Sequence, residues 1–304
     1  MTGTDQAVAP GAVRSPRGKL DWTNTLFVSF CHVMAVAAIV YLCTVRFSWW
    51  TAGLSLAWFG LCGLSITGGY HRLFSHRAYK AHRLLEVFYL LFGAASVQNS
   101  ALKWSHDHRA HHAHTDKDRD VYNIRRGFWW AHIGWVFHKD ALELDSASCR
   151  DLAGDRFVRW QHRYYVPLAI LMGLVVPALL GSLWGDAIGA ALCAGFLRLV
   201  LQWHATFCVN SFAHLYGSQP YSLKNSARDS FWNALLTLGE GYHNFHHRFQ
   251  ADYRNGVRWY HFDPTKWFVW TMSHVGLTHS LRRVPASVVE RARSSVREEL
   301  RVTK

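Results

Sequence analysis

The chain has six cysteines in 304 residues, and no two of them stand in C-x-x-C spacing. Cys31, Cys43, Cys62, Cys193 and Cys208 lie in or at the ends of apolar runs, where cysteine behaves as a small hydrophobe. With Cys149 alone outside those runs, neither an iron–sulfur cluster nor a disulfide framework is expected. A dinucleotide fingerprint is also missing. The glycine-rich stretch GLCGLSITGG sits inside an apolar run, not between a strand and a helix, so its glycines serve helix packing. No nicotinamide or flavin module is encoded. Strand signals are weak throughout, and the fold is expected to be all-α.

The most informative deficit is charge. Leu26 to Val45, Phe47 to Gly68 and Val166 to Gly185 contain no Asp, Glu, Lys or Arg, and Ala187 to Val209 contains only Arg198. Each run matches the roughly 20 residues that span a bilayer. Four such runs predict an integral membrane protein with spans near 26–45, 47–68, 166–185 and 187–209. A cleavable signal sequence fits the first run poorly, because polar residues 1–25 precede it and a second span follows at once. The spans form two hairpins, joined at Arg46 and at Gly185-Asp186. The charged segments 1–25, 69–165 and 210–304 hold almost all the Lys and Arg, so the positive-inside rule places them together in the cytoplasm. The net charge of +13 is then explained by basic segments beside anionic lipid, and a nucleic-acid partner is not expected. Residues 1–21 read as a disordered tail, 22–281 as the membrane domain and 282–304 as a basic tail with a surface helix after Pro285.

What the chain has in excess is histidine: 20, against 8 lysines. His71 and His76 enclose HRLFSH at the exit of the second span. His108, His111 and His112 form HRAHH, His243, His246 and His247 form HNFHH, and His214 lies just past the fourth span. On a helix, residues i, i+3 and i+4 share a face, so each H-x-x-H-H aims three imidazoles into one small volume. Asn210 and His214 also share a face. His71 and His76, five apart, lie about 140° from each other on a regular helix and are expected to serve two neighbouring points. Nine imidazoles are too many for one metal and suit two, with iron, copper, zinc and nickel all compatible with that donor set. His32, His82, His162, His261, His274 and His279 are expected to be packing or surface residues, and His204 to hydrogen-bond within the bundle.

At these histidines the chain resembles the membrane fatty-acid desaturases, most closely the acyl-CoA Δ9-desaturase (stearoyl-CoA desaturase) branch. GGYHRLFSHRAYKAH, RRGFWWAHIGW, VNSFAHLYGSQPY and GEGYHNFHHRFQADYRNGVRWYHFDPTKW extend the likeness over roughly residues 22–281. The resemblance implies four spans in two hairpins under a cytosolic helical cap that holds two Fe ions. It implies as ligands His71, His76, His108, His111, His112, His214, His243, His246 and His247, with Asn210 reaching one metal through water. It also implies a kinked acyl tunnel with Gln98, Trp104, Thr206 and Phe207 beside its bend, and Lys139 near the acyl carrier. Asp107, Asp120, Asn123, Arg125 and Arg126 flank the second box and are candidates to orient ligand imidazoles. His106 and His114 fall outside the implied ligand set.

The implied activity is O2-dependent desaturation of a saturated acyl chain, with a cis double bond at C9. Side-chain acids and bases have no purchase on an unactivated C–H bond, so the metals must supply the oxidising power. Electrons would come from a separate cytochrome b5, ferredoxin or flavin reductase. Animal members carry a basic residue where this chain has His106, and an Arg-Lys pair at Lys139-Asp140, so both acyl-CoA and an acyl-lipid stay open as substrate. A membrane di-iron hydroxylase is the alternative reading, and a non-catalytic haem or metal-binding protein a more distant one.

Overall fold

The computed structural model describes residues 18–139 and 149–302. The expected N-terminal tail falls largely outside them, as does Asp140. Four helices are long and apolar enough to cross a membrane: Trp22–Thr44, Trp49–Ser75, Tyr165–Ser182 and Ala187–Leu215. They match the four uncharged runs. The second and fourth outrun the predicted ends at 68 and 209, and those extensions carry His71 and His214 beyond the apolar stretch. Burial separates the four. About 22% of the first and third windows is buried, against 44% and 50% of the second and fourth, so the histidine-bearing spans are the inner ones. Leu26, Val33 and Val36 on the outer face of the first span are largely exposed, as a lipid-facing stripe requires.

Local signals set the helix starts. Asp21 accepts from the Asn24 amide at 3.1 Å, Ser48 caps the second span through Thr51, and Ser100 caps Ala101–His114 through Lys103. Gly63, Gly68 and Gly69 of the second span are packing residues, as expected, whereas Gly60 has open space where a side chain would stand. A Cβ on Gly69 would lie 2.6 Å from Tyr89 Cβ, and one on Gly93 would lie 2.3 Å from Tyr70 Cε1. Two tyrosine rings therefore lock the second span to helix Arg83–Ala95 through close backbone approach. Tyr70, Phe74, Tyr89 and Leu90 form the core beneath the histidines.

The cap is built from helices Ala101–His114 and His243–Arg248, short turns, and a two-residue antiparallel ladder pairing Lys80–Ala81 with Thr278–His279. The C-terminal segment is helical over Ala286–Val302, and one face of it packs into the cap. Val289 and Ala292 cluster with Tyr221, Phe245 and Phe249, so this helix braces the HNFHH segment from outside.

At the opposite end of the spans, the two hairpin turns are tied together. The buried Asp186 carboxylate accepts from Tyr41 Oη at 2.7 Å, from Thr51 Oγ1 and from the Gly189 amide. Arg46 donates across to Gly185 O and Trp184 O at 2.7 and 3.1 Å. Asp186→Ala would leave buried donors without an acceptor, at a cost of about 1–3 kcal/mol for each unsatisfied group. The variant is expected to lower the thermal midpoint in detergent clearly while keeping its helical circular-dichroism signal.

Candidate metal centre

The histidines assemble into two groups. His71, His76, His108, His112 and His246 form one, and His111, His214, His243 and His247 form the other, with one ring nitrogen of each within 4.8 Å of the rest of its group. Both H-x-x-H-H segments therefore divide their imidazoles, where the spacing alone put all three in one volume. On a helix, i and i+4 are about 40° apart, while i+3 and i+4 are about 100° apart, so the i+3 ring faces elsewhere. HRAHH sends the pair His108 and His112 to the first group and His111 to the second. HNFHH does the reverse, sending His243 and His247 to the second and His246 to the first.

His71 and His76 also depart from expectation, since both enter the same group. The cause is local winding. Ser65–Ser75 is a π-helix, with His76 N–H bonded to His71 O at 3.1 Å across five residues. In that geometry five residues come close to a full turn, and the two rings converge.

The nitrogen spacing fits metal ions. Within the first group, Nε2–Nε2 distances are 3.0 Å for His71–His246, 2.8 Å for His76–His108, 3.1 Å for His108–His112 and 3.0 Å for His112–His246. In the second, His214–His243 and His243–His247 are 3.1 and 3.0 Å apart. Ligands at right angles around a metal with bonds of about 2.1 Å would be about 3.0 Å apart. The opposite ring edges show the same design. His71 Nδ1 donates to Glu240 at 2.8 Å and His111 Nδ1 donates to Asp120 at 2.8 Å. His214 Nδ1 lies 2.7 Å from Ser226 Oγ, which itself donates to Asp116 at 2.5 Å. Each of these bonds places the proton on Nδ1 and leaves the Nε2 lone pair free for a metal.

Charge reinforces that state. Burial, with neighbouring imidazoles adding to it, pushes His76, His108, His112, His243, His246 and His247 well below the usual histidine range, so all six are neutral donors. Burial alone would raise Glu240, but its hydrogen-bonded partners His71 and Arg72 hold its carboxyl at about 2. Burial would likewise raise Asp120, and His111 outweighs it to leave that carboxyl below its ordinary range. Arg72, fully enclosed, bridges Glu240 at 2.8 Å and Asp263 at 3.0 Å. Breaking such a buried pair by removing one partner costs about 3–5 kcal/mol.

Of the residues flanking the second box, Asp120 reaches a ring of the two histidine groups. Asp107 pairs with Lys103 at 2.5 Å and with His106 at 3.0 Å, Asn123 caps Arg125, and the Arg126 guanidinium stacks on Trp130. His106 and His114 are in neither group. Glu240 and Asp116 carried no sequence signal, since they lie far along the chain from His71 and from the Ser226–His214 pair they support. His32 and His204 pair at 3.1 Å between Nε2 atoms, and His204 continues to His132 at 3.0 Å, tying the first span to the fourth and to the cap.

Beside the histidines opens a cavity of about 920 Å³ that runs down between the spans. His71, His108, His111 and His243 line it, as do Asn210, Gln98, Trp104, Thr206 and Phe207. Gln98 donates to Thr206 Oγ1 at 3.0 Å, and the Trp104 indole reaches Gln98 Oε1 at 3.4 Å while stacking on His108 with ring centroids 4.8 Å apart. Lys139 is exposed and is not in the lining; its amide pairs with Lys19 O at 2.8 Å, next to His138, which is in the lining.

Residues 47–279 match the family model of the fatty acid desaturases. The chain is 44% identical over 274 residues to a probable acyl-CoA desaturase of Schizosaccharomyces pombe, covering 90% of this chain and 57% of that protein. It is 45% identical over 240 residues to acyl-CoA desaturase 1 of Saccharomyces cerevisiae, covering 78% and 47%. The chain thus spans about half the length of these two yeast relatives. It is also 37% identical over 291 residues to human stearoyl-CoA desaturase 5, covering 92% of this chain and 86% of that protein.

His111→Ala is expected to lower bound metal per chain with membrane insertion intact, and His106→Ala to leave metal content near that of the parent. Asp120→Asn and Glu240→Gln should each weaken metal affinity about 10–100-fold, read by chelator competition. A second outcome concerns pH. Imidazoles whose folded pKa is depressed bind fewer protons than in the unfolded chain, so stability falls as pH drops below the ordinary value of 6.5. The metal-free protein should therefore lose thermal stability between pH 7 and pH 5, read as a falling thermal midpoint across a buffer series.

Proposed function

The chain belongs to the fatty acid desaturase family, and from that premise we propose that it is an O2-dependent acyl-CoA desaturase that forms a cis double bond at C9. The observation that carries this reading is the shared wall. One cavity is lined by histidines of both metal groups and by the Gln98–Thr206 bridge with Trp104 and Phe207. An acyl chain in it would pass the metal groups at the level of that bridge.

Two irons held by the nine imidazoles would supply the reduction of O2 and the removal of hydrogen from unactivated carbon. The protein's own residues do the rest. Glu240, Asp120 and the Ser226–Asp116 pair fix the ligand rings, and Asn210 offers an amide beside the second group. The apolar lining excludes water, and the bridge between Gln98 and Thr206 limits which methylenes approach the histidines. The overall reaction takes one saturated chain, O2, two electrons and two protons to one unsaturated chain and two waters. The electrons come from a separate donor, a cytochrome b5, ferredoxin or flavin reductase, which docks on the cytoplasmic face where we place the cap. The cavity mouth is polar, with Asn24, Lys103, Asp107 and His138 in the lining. Lys139 stands next to this rim, suited to a phosphate, and the likeness to acyl-CoA and stearoyl-CoA desaturases supports coenzyme A as the carrier.

Expression with compatible electron donors in a host that makes no C9-unsaturated fatty acid is expected to yield new cis-C9 double bonds by mass spectrometry. Hydroxylated chains in their place would overturn desaturation and make the protein a membrane hydroxylase on the same metal geometry.

A further inference from the structure

One helix of the cap is built inside out. Helix Phe231–Leu236 buries Asn233 and Ala234, with Thr237 buried just past its end, and turns Phe231, Trp232, Leu235 and Leu236 outward. Trp232 is 74% exposed and Leu236 60%, against 4% for Asn233. A helix on the surface of a water-soluble body shows the opposite order, with apolar side chains inward and polar ones outward. From Ser230 to Gly239 no Asp, Glu, Lys or Arg occurs. Ser230 Oγ accepts from the Asn233 amide at 3.4 Å, and Thr237 Oγ1 donates to Asn233 O at 2.6 Å. Both hydroxyls are thus spent on the helix backbone.

The neighbours fix the depth of this segment. A Cβ on Gly63 would collide with the Leu238 side chain. Leu236 shares a groove of about 530 Å³ with Leu56 and Phe59 of the second span and with Leu201 and Ala205 of the fourth. All five of these span residues lie inside the uncharged runs 47–68 and 187–209. The groove opens outward between Leu56 and Leu201, both exposed as lipid-facing residues are. Leu236 also lines the large cavity, so the segment forms part of its wall. A second group of rings continues the surface. Helix Pro264–His274 starts beside the second span, with Thr265 Oγ1 2.6 Å from Thr67 Oγ1. Its Trp267 and Trp270, three residues apart and so on one face, are exposed, and the Trp267 indole donates to the carbonyl of the exposed Trp259 at 3.3 Å. Tryptophan favours the boundary between hydrocarbon and headgroups.

Six residues of helix measure about 9 Å, against about 30 Å of hydrocarbon, so the helix lies along the membrane and does not cross it. We propose that Phe231–Leu238 is an in-plane membrane segment whose outer face inserts into the leaflet on the cap side. Its partner is bilayer lipid, because the exposed apolar face is continuous with the lipid-facing sides of the second and fourth spans. The inference stands on the four spans and is independent of the reaction proposed above.

The test places the photoreactive residue p-benzoylphenylalanine at Trp232, at Leu235 or at Asp118, one at a time. The full-length protein is reconstituted in vesicles of palmitoyl-oleoyl phosphatidylcholine. Asp118, exposed in the turn that follows the HRAHH helix, is the control. After irradiation, mass spectrometry is expected to find phospholipid adducts at Trp232 and Leu235 and none at Asp118. If the Trp232 variant fails to fold, Leu235, one turn further along and also facing outward, carries the same outcomes. Adducts to a second copy of the chain would make the patch a subunit interface, and adducts to the chain's own peptides would make it a covered protein face. Either result overturns the proposal, as does a lipid yield at both positions no higher than at Asp118.

Discussion

Nine imidazoles must be held with their Nε2 atoms pointing inward, and the architecture serves that requirement. Lone pairs about 3 Å apart repel one another without a cation between them, and burial removes the option of protonation as relief. The surroundings hold the rings from behind. Glu240 and Asp120 accept the outer protons of His71 and His111, and Ser226 with Asp116 behind it does so for His214. Glu240 is in turn held by Arg72 and Asn255, so a network of buried polar groups supports the first histidine group from below. In the second group, fewer imidazoles are backed by more carboxylates.

The spans divide the work. The outer two face lipid and close the sides, while the inner two continue past the apolar stretch and deliver His71, His76 and His214 to the cap. A π-helical stretch at the exit of the second span turns a five-residue spacing into one shared face, a use of irregular winding typical of functional sites. The two H-x-x-H-H helices, His108–His112 and His243–His247, then contribute in opposite ratios. Each group receives an i,i+4 pair from one box and the lone i+3 ring from the other. This exchange couples the boxes: neither group is complete unless both cap helices are docked. The C-terminal helix contributes by packing Val289 and Ala292 against Phe245, inside the third box itself.

The cavity joins this centre to the membrane. Its upper wall is made of the clustered histidines and Trp104, its middle is fixed by Gln98 and Thr206, and Arg198 and Gly173 line it further down. Position in this cavity comes from packed aromatics and from side-chain bridges between segments that are far apart in the chain.

Much of this was legible in the sequence because it depends on composition and short spacing. Uncharged runs of bilayer length fix the number of spans whatever the packing, and four turned out to be present. Histidine boxes at the span exits give the donor set, because i, i+3 and i+4 neighbours are neighbours on any helix. The partition of those donors was not legible. Whether His111 joins His108 or His243 depends on where the HNFHH helix docks, and the convergence of His71 and His76 depends on a change of helical winding. Glu240 and Asp116 gave no local signal, since the first meets His71 and the second meets Ser226 across a long stretch of chain. The free nitrogen of Arg198 is the same kind of case. The sequence placed one charge in an apolar run, but only the packing of Ala95 and Gln202 around it decided which of its donors are satisfied.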